Sequence, residues 1–163
     1  MAGIHSPMTY SRRDWIRSAF LGAAGVLASR RSFAEALSSA PIAITVYKAA
    51  SCGCCKDWVA HLARNGFAAA VHDLDDLTQV KASLGVPRAL ESCHTAVVGS
   101  YFIEGHVPAD LIKKLLADKP KDTVGLAVPG MVTGSPGMET GRKQPYEVVA
   151  LSRAGKTSVY ARR

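Results

Sequence analysis

Three cysteines fall within four consecutive positions, Cys52-Gly53-Cys54-Cys55, and a fourth, Cys93, stands beside His94. Thiols this close support two kinds of chemistry. Thiolates take soft metal ions, and a C-x-x-C pair such as Cys52 and Cys55 makes and breaks a disulfide. Gly53 lets the backbone bend so that the sulfurs converge on one point. His106 follows in Glu104-Gly105-His106-Val107-Pro108, and Pro129-Gly130-Met131 recurs as Pro136-Gly137-Met138. Each Pro-Gly suits a type II turn, and each such turn presents a thioether at the next position. The candidate metal ligands are therefore Cys52, Cys54, Cys55, Cys93, His94, His106, Met131 and Met138. His61 and His72 read as structural or surface residues.

Ligand softness ranks the metals. Thiolate and thioether select Cu(I), while imidazole also serves Cu(II). Structural zinc uses paired Cys/His spacings and leaves thioethers without a role. Iron–sulfur ligation would use the thiolates and leave the histidines and methionines unexplained. Copper, as Cu(I) or Cu(II), is the expected ligand, and so many donors point to several ions or to alternate ligation during transfer. Cycling between the two oxidation states would make the protein an oxidoreductase or electron carrier; metal holding is the main expectation. A thiol–disulfide oxidoreductase using Cys52 and Cys55 is the alternative, with a structural zinc domain behind it.

The elements that must position these groups can be read from hydrophobic periodicity. Residues 42–47 are β-branched and apolar after Pro41, as in a buried strand. Residues 55–65 carry Trp58, Val59, Leu62 and Ala63 at helical spacing and stop at Gly66. The C-G-C-C cluster then lies at a strand–helix junction, where helix amides favour thiolate over thiol. A second strand is expected over 68–74, and a short helix capped by Asp75-Asp76 over the residues to Leu84. Residues 95–98 and 101–104 read as a hairpin around Gly99-Ser100, followed by a helix opened by Pro108. Residues 119–145, rich in Pro and Gly, are expected to be loop throughout, and 146–151 with 157–160 form a terminal hairpin on a sheet edge. The expected fold is a small α/β sandwich of thioredoxin-like order, with a Pro/Gly/Met-rich loop and a C-terminal β-hairpin.

The first residues read as an address. Arg12-Arg13 precede the uncharged stretch 18–29, which as a helix would span roughly 18 Å, against the roughly 30 Å of a bilayer core. Ala34-Glu35-Ala36 and Ser38-Ser39-Ala40 offer cleavage sites. The expectation is a twin-arginine export signal over 1–36, cut after 36 or 40, and one metal-binding domain over 41–163 with a periplasmic location. Losing residues 1–36 removes five basic and two acidic side chains and lowers the formal charge from +7 to +4. The remaining basic residues form no face with interleaved aromatics, so nucleic acid is not an expected partner. No integral membrane span is expected after signal removal. Copper ions are the expected partners, together with other copper-handling proteins of the same compartment.

In three segments the sequence resembles the CopG family of periplasmic copper-resistance proteins: CGCCKDWVAHLARNGF at 52–67, GVPRALESCHTAVVGSYFIEGHVPADLIKKLL at 85–116, and GLAVPGMVTGSPGME at 125–139. The resemblance implies a thioredoxin-like fold and a role in copper handling. It places Cys52, Cys54, Cys55, Cys93, His94, His106, Met131 and Met138 in family motifs.

Overall fold

Alternation of buried and exposed residues builds the first strand, β1 (Ile42–Lys48), whose Ile44 and Val46 point into the core. It is seen in a computed structural model that describes residues 40–163. The expected export signal lies outside the described residues, apart from Ala40 at its second cleavage site.

Helix α1 (Gly53–Arg64) starts with Cys52 at its N-cap and closes at Gly66, where φ is +81°. Strand β2 (Phe67–Asp73) returns parallel to β1. Asp76 then accepts hydrogen bonds from the amide and hydroxyl of Thr78 just ahead of the short helix α2 (Thr78–Ser83), whose N-cap is Leu77 rather than the expected Asp75-Asp76. A 3-10 turn at Arg88–Leu90 leads into β3 (His94–Val98), and Gly99-Ser100 turns the chain into β4 (Tyr101–Glu104). Helix α3 (Ala109–Asp118) follows Pro108. Ala109 N donates to His61 Nε2 at 3.2 Å, which gives His61 a structural role joining α1 to α3.

The stretch 119–145, expected to be loop throughout, contains a strand instead. β5 (Thr123–Ala127) pairs parallel with β4, and Leu126 and Ala127 are fully buried. Gly125 interrupts its apolar run, which hides the strand from periodicity. The glycine is there because the Phe102 ring lies against it: an added Cβ would come within 2.5 Å of that ring. A strand glycine often marks such a close approach. The rest of the segment is Pro/Gly-rich loop. The terminal hairpin, β6 (Glu147–Ser152) and β7 (Thr157–Arg162), adds to β5.

Among the described residues the strands form one mixed sheet in the order β2-β1-β3-β4-β5-β6-β7. Alternate residues separate its two sides. Ile44, Val46, Ala96, Val98, Ile103, Leu126 and Val148 pack with Trp58 and Leu62 of α1 and with Leu111, Ile112 and Leu115 of α3. Phe102, Ala127 and Leu151 form a second cluster with Val86 and Leu90, from the segment after α2. The central strands are thus covered on both faces. Among the described residues no helix is long and apolar enough to cross a membrane.

Leu126→Ala tests the added strand. A fully buried leucine in a central strand should lose about 2–5 kcal/mol on truncation, whereas a surface-loop position would change by less than about 0.5 kcal/mol. Urea unfolding of the two proteins distinguishes these outcomes.

Candidate metal centre

Sheet register brings the cysteines together. β1 and β3 run antiparallel with Lys48 opposite His94, so the segment leaving β1 and the segment entering β3 meet at one end of the sheet. The first segment carries Cys52, Cys54 and Cys55 into the first turn of α1; the second carries Cys93. The four sulfurs lie within 4.8 Å of one another. Cys52 and Cys55 are joined in a disulfide, and Cys54 and Cys93 are free thiols. Cys54 Sγ is 3.5 Å from Cys52 Sγ and 4.0 Å from Cys93 Sγ. Cys55 is fully buried, with its sulfur 3.8 Å from the Cys93 carbonyl oxygen.

Cys93 also belongs to a second group. Its sulfur is 3.2 Å from His106 Nε2 and 3.4 Å from His94 Nδ1, and one ligand atom from each of the three lies within 4.8 Å of the others. The β3–β4 hairpin supplies this pairing: with Thr95 opposite Glu104, His106 comes back beside Cys93. His106 Nδ1 donates to the Pro136 carbonyl oxygen at 2.8 Å. That bond fixes the tautomer and turns the Nε2 lone pair toward the sulfur. The second Pro-Gly-Met unit therefore acts first through its proline carbonyl. Gly137, at φ +82°, lies so close to the first two turns of α1 that a Cβ would meet Trp58 N at 2.6 Å and Cys54 O at 2.8 Å.

Burial sets the protonation of this group. It pushes the Cys93 thiol up to about 11, with the adjacent Cys54 adding to the effect. It pushes His94 down to about 3, helped by nearby His106 and Lys81. His106 is lowered too, again chiefly by burial. Near neutral pH the arrangement is a thiol between two uncharged imidazoles, so a metal ion would displace the thiol proton as it binds. His94 stacks on Trp58 with ring centroids 4.3 Å apart, and Trp58 Nε1 donates to Val107 O at 3.0 Å. His94 Nε2 is buried without a hydrogen-bond partner. An orphaned buried nitrogen is costly, and together with soft thiols and neutral imidazoles it fits a site for a thiophilic metal ion.

The methionines are placed differently. Met138 lines an open cavity of about 470 Å³ together with Gly53, Cys54, Asp57, Arg64 and Glu139, beside the free Cys54 thiol. Met131 is 60% exposed and is not among the residues lining that cavity. His72 is exposed and stacks on Tyr47, and it belongs to neither of the two ligand groups. Sequence reasoning missed Trp58 as a support for His94, and it missed the buried pair Lys81 and Glu104 beneath Cys93. A signal existed for Glu104: it is the one charge in the otherwise apolar run Tyr101-Phe102-Ile103-Glu104, two residues before His106.

Two solved structures with the name "Copper resistance protein copG", Form 1 and Form 2, each match this chain at 52% identity and a TM-score of 0.72. Each alignment covers 76% of this chain and 98% of the solved one. The chain belongs to the CopG family. Its fold is accordingly the thioredoxin-like one of that family, with a C-terminal hairpin. Residues 90–138 also match a family described as "Protein of unknown function, DUF411", a span that holds Cys93, both site histidines and both Pro-Gly-Met units. No curated protein sequence matches the chain.

The pH dependence of thiol reactivity checks the electrostatics. With the disulfide intact, Cys93 alkylation by iodoacetamide, followed by peptide mapping, should keep accelerating well above the ordinary thiol value of 9.0, toward about 11. A rate that levels off at or below 9.0 would contradict the buried, neutral thiol.

Proposed function

We propose that the protein holds copper as cargo in the bacterial periplasm, as part of copper resistance or homeostasis. The observation that carries this reading is the convergence of four cysteine sulfurs with two uncharged, buried imidazoles around Cys93. Thiols favour Cu(I), and the neutral histidines extend the set toward Cu(II). The likeness to solved proteins named for copper resistance, at 52% identity, supports the choice of metal. In the disulfide form Cys54, Cys93 and His106 are the available donors, with His94 behind them. Reduction of Cys52–Cys55 breaks one S–S bond, takes up two electrons and two protons from a dithiol reductant, and adds two thiols. Met138, at the cavity beside Cys54, is suited to meet an arriving ion, and Met131 to act farther out.

The number of coppers retained should therefore depend on the disulfide. Anaerobic loading with Cu(I), desalting and metal counting should find more copper on the dithiothreitol-reduced protein than on the disulfide form. Cys54→Ser/Cys93→Ser should retain the least. A reduced wild-type protein that keeps no copper would sink the reading.

The disulfide favours a second reading, a thiol–disulfide oxidoreductase, because Cys52–Cys55 has C-x-x-C spacing at a helix N-terminus. Turnover with a reducing partner, unchanged by copper chelation and by Cys54→Ser, would support it. It gives no role to Cys54, the second Pro-Gly-Met or His106.

Export belongs to the same proposal: residues 1–36 act as a twin-arginine signal, and the mature chain begins after Ala36 or Ala40. N-terminal sequencing of protein from a periplasmic extract should find one of these starts. Arg12→Lys/Arg13→Lys should keep the uncut precursor in the cytoplasm.

A further inference from the structure

A fully connected polar network lies beneath the metal centre, on the opposite side of the same two strand ends. His94 faces Trp58 of α1, while its neighbour Thr95 faces α2. There the Lys81 ammonium reaches the Glu104 carboxylate, donates to Thr95 Oγ1 at 2.9 Å, and donates to Ser92 O at 3.1 Å. Glu104 also accepts from Ser92 N at 2.6 Å and from Thr95 Oγ1 at 2.6 Å. All three donors of the lysine are used, and both carboxylate oxygens are held.

The partners are not scattered. Ser92 and Thr95 flank Cys93 and His94, and Glu104 stands two residues before His106. Gly105 bridges the two layers: at φ +67°, an added Cβ would lie 2.6 Å from Ser92 Oγ and 2.5 Å from Val128 O. Ser92 Oγ donates to Gly130 O, and Gly130 N donates to Glu91 O at 3.1 Å, so the network reaches the first Pro-Gly-Met turn. The ion pair is buried, with the lysine side chain 8% and the glutamate 0% exposed. A buried pair of this kind is often no more stabilising than apolar residues of the same size. Stability alone therefore gives little reason for it, whereas a fixed position for Cys93 and His106 does.

We propose that Lys81 and Glu104 are positioning residues for the metal centre, acting through Ser92 and Thr95 to hold the Cys93 sulfur against His106. The role in metal binding rests on the copper reading; the role in placing Cys93 stands apart from it. Residues that support ligands without touching the metal typically change affinity by about 10- to 100-fold when replaced.

The test is Lys81→Met/Glu104→Leu, which removes both charges together. In the disulfide form, Cys93 alkylation by iodoacetamide should accelerate by about tenfold. Cys54 alkylation, mapped in the same samples, should rise clearly less than that of Cys93, because Cys54 is carried by α1, to which none of the network's hydrogen bonds runs. General loosening would move both rates, so equal acceleration overturns the proposal, as does an unchanged Cys93. In the reduced protein, Cu(I) affinity against a competing chelator should fall about tenfold. In a Cys93→Ser background the same pair of changes should cost less than about twofold. Equal losses in both backgrounds overturn the role in metal binding. A wild-type protein that binds no Cu(I) defeats the copper reading and the metal-binding part of this proposal together, while the alkylation ratio still decides whether Cys93 is held. If the double variant does not fold, Thr95→Val removes the shared hydroxyl. It should then raise the Cys93 rate selectively; no change would overturn the proposal.

Discussion

The antiparallel register of β3 between β1 and β4 is the constraint on which the centre depends. With Lys48 opposite His94 and Thr95 opposite Glu104, three short segments meet at the same end of the sheet. A slip of one residue would send every side chain of β3 to the other face. His94 would leave Trp58, and Thr95 would leave Lys81. Burial enforces the register, since Ala96 and Val98 must face the helices while the strand's first residues carry the polar groups.

Burial also decides the chemistry. Water-exposed cysteines and histidines would titrate near their ordinary values. Here the low-polarity surroundings keep the Cys93 proton on sulfur and keep both imidazoles uncharged. A neutral site of this kind has low affinity for protons, and thiol and imidazole are the donor types that suit soft metal ions. The Pro136 carbonyl completes the arrangement by accepting a hydrogen bond from His106 Nδ1. The loop that contributes the methionines therefore also orients an imidazole.

Much of this was legible from residue order. The C-G-C-C cluster, the strand before it and the helix after it follow from composition and spacing. The Gly99-Ser100 turn, once recognised, fixes the hairpin register and so brings His106 back beside Cys93. Two things were hidden. β5 was masked by Gly125, a residue that counts against a strand locally but makes room for the Phe102 ring. The network of Lys81 and Glu104 was hidden because a lysine in a short helix reads as a solvent-facing charge. Only packing of α2 on the sheet shows that it is buried.

The sequence by itself determined which donors the protein owns, the softness of the metal they suit, and the two local turns that present them. Beyond the hairpin pair of Cys93 and His106, tertiary structure decided which donors meet. It joined Cys52 to Cys55 and left Cys54 and Cys93 free, and it put Met138 at a cavity and Met131 on the surface. The reason is physical: donor identity is a property of single residues. Distance, protonation and hydrogen-bond partner arise only when segments about forty residues apart are packed into one dry layer.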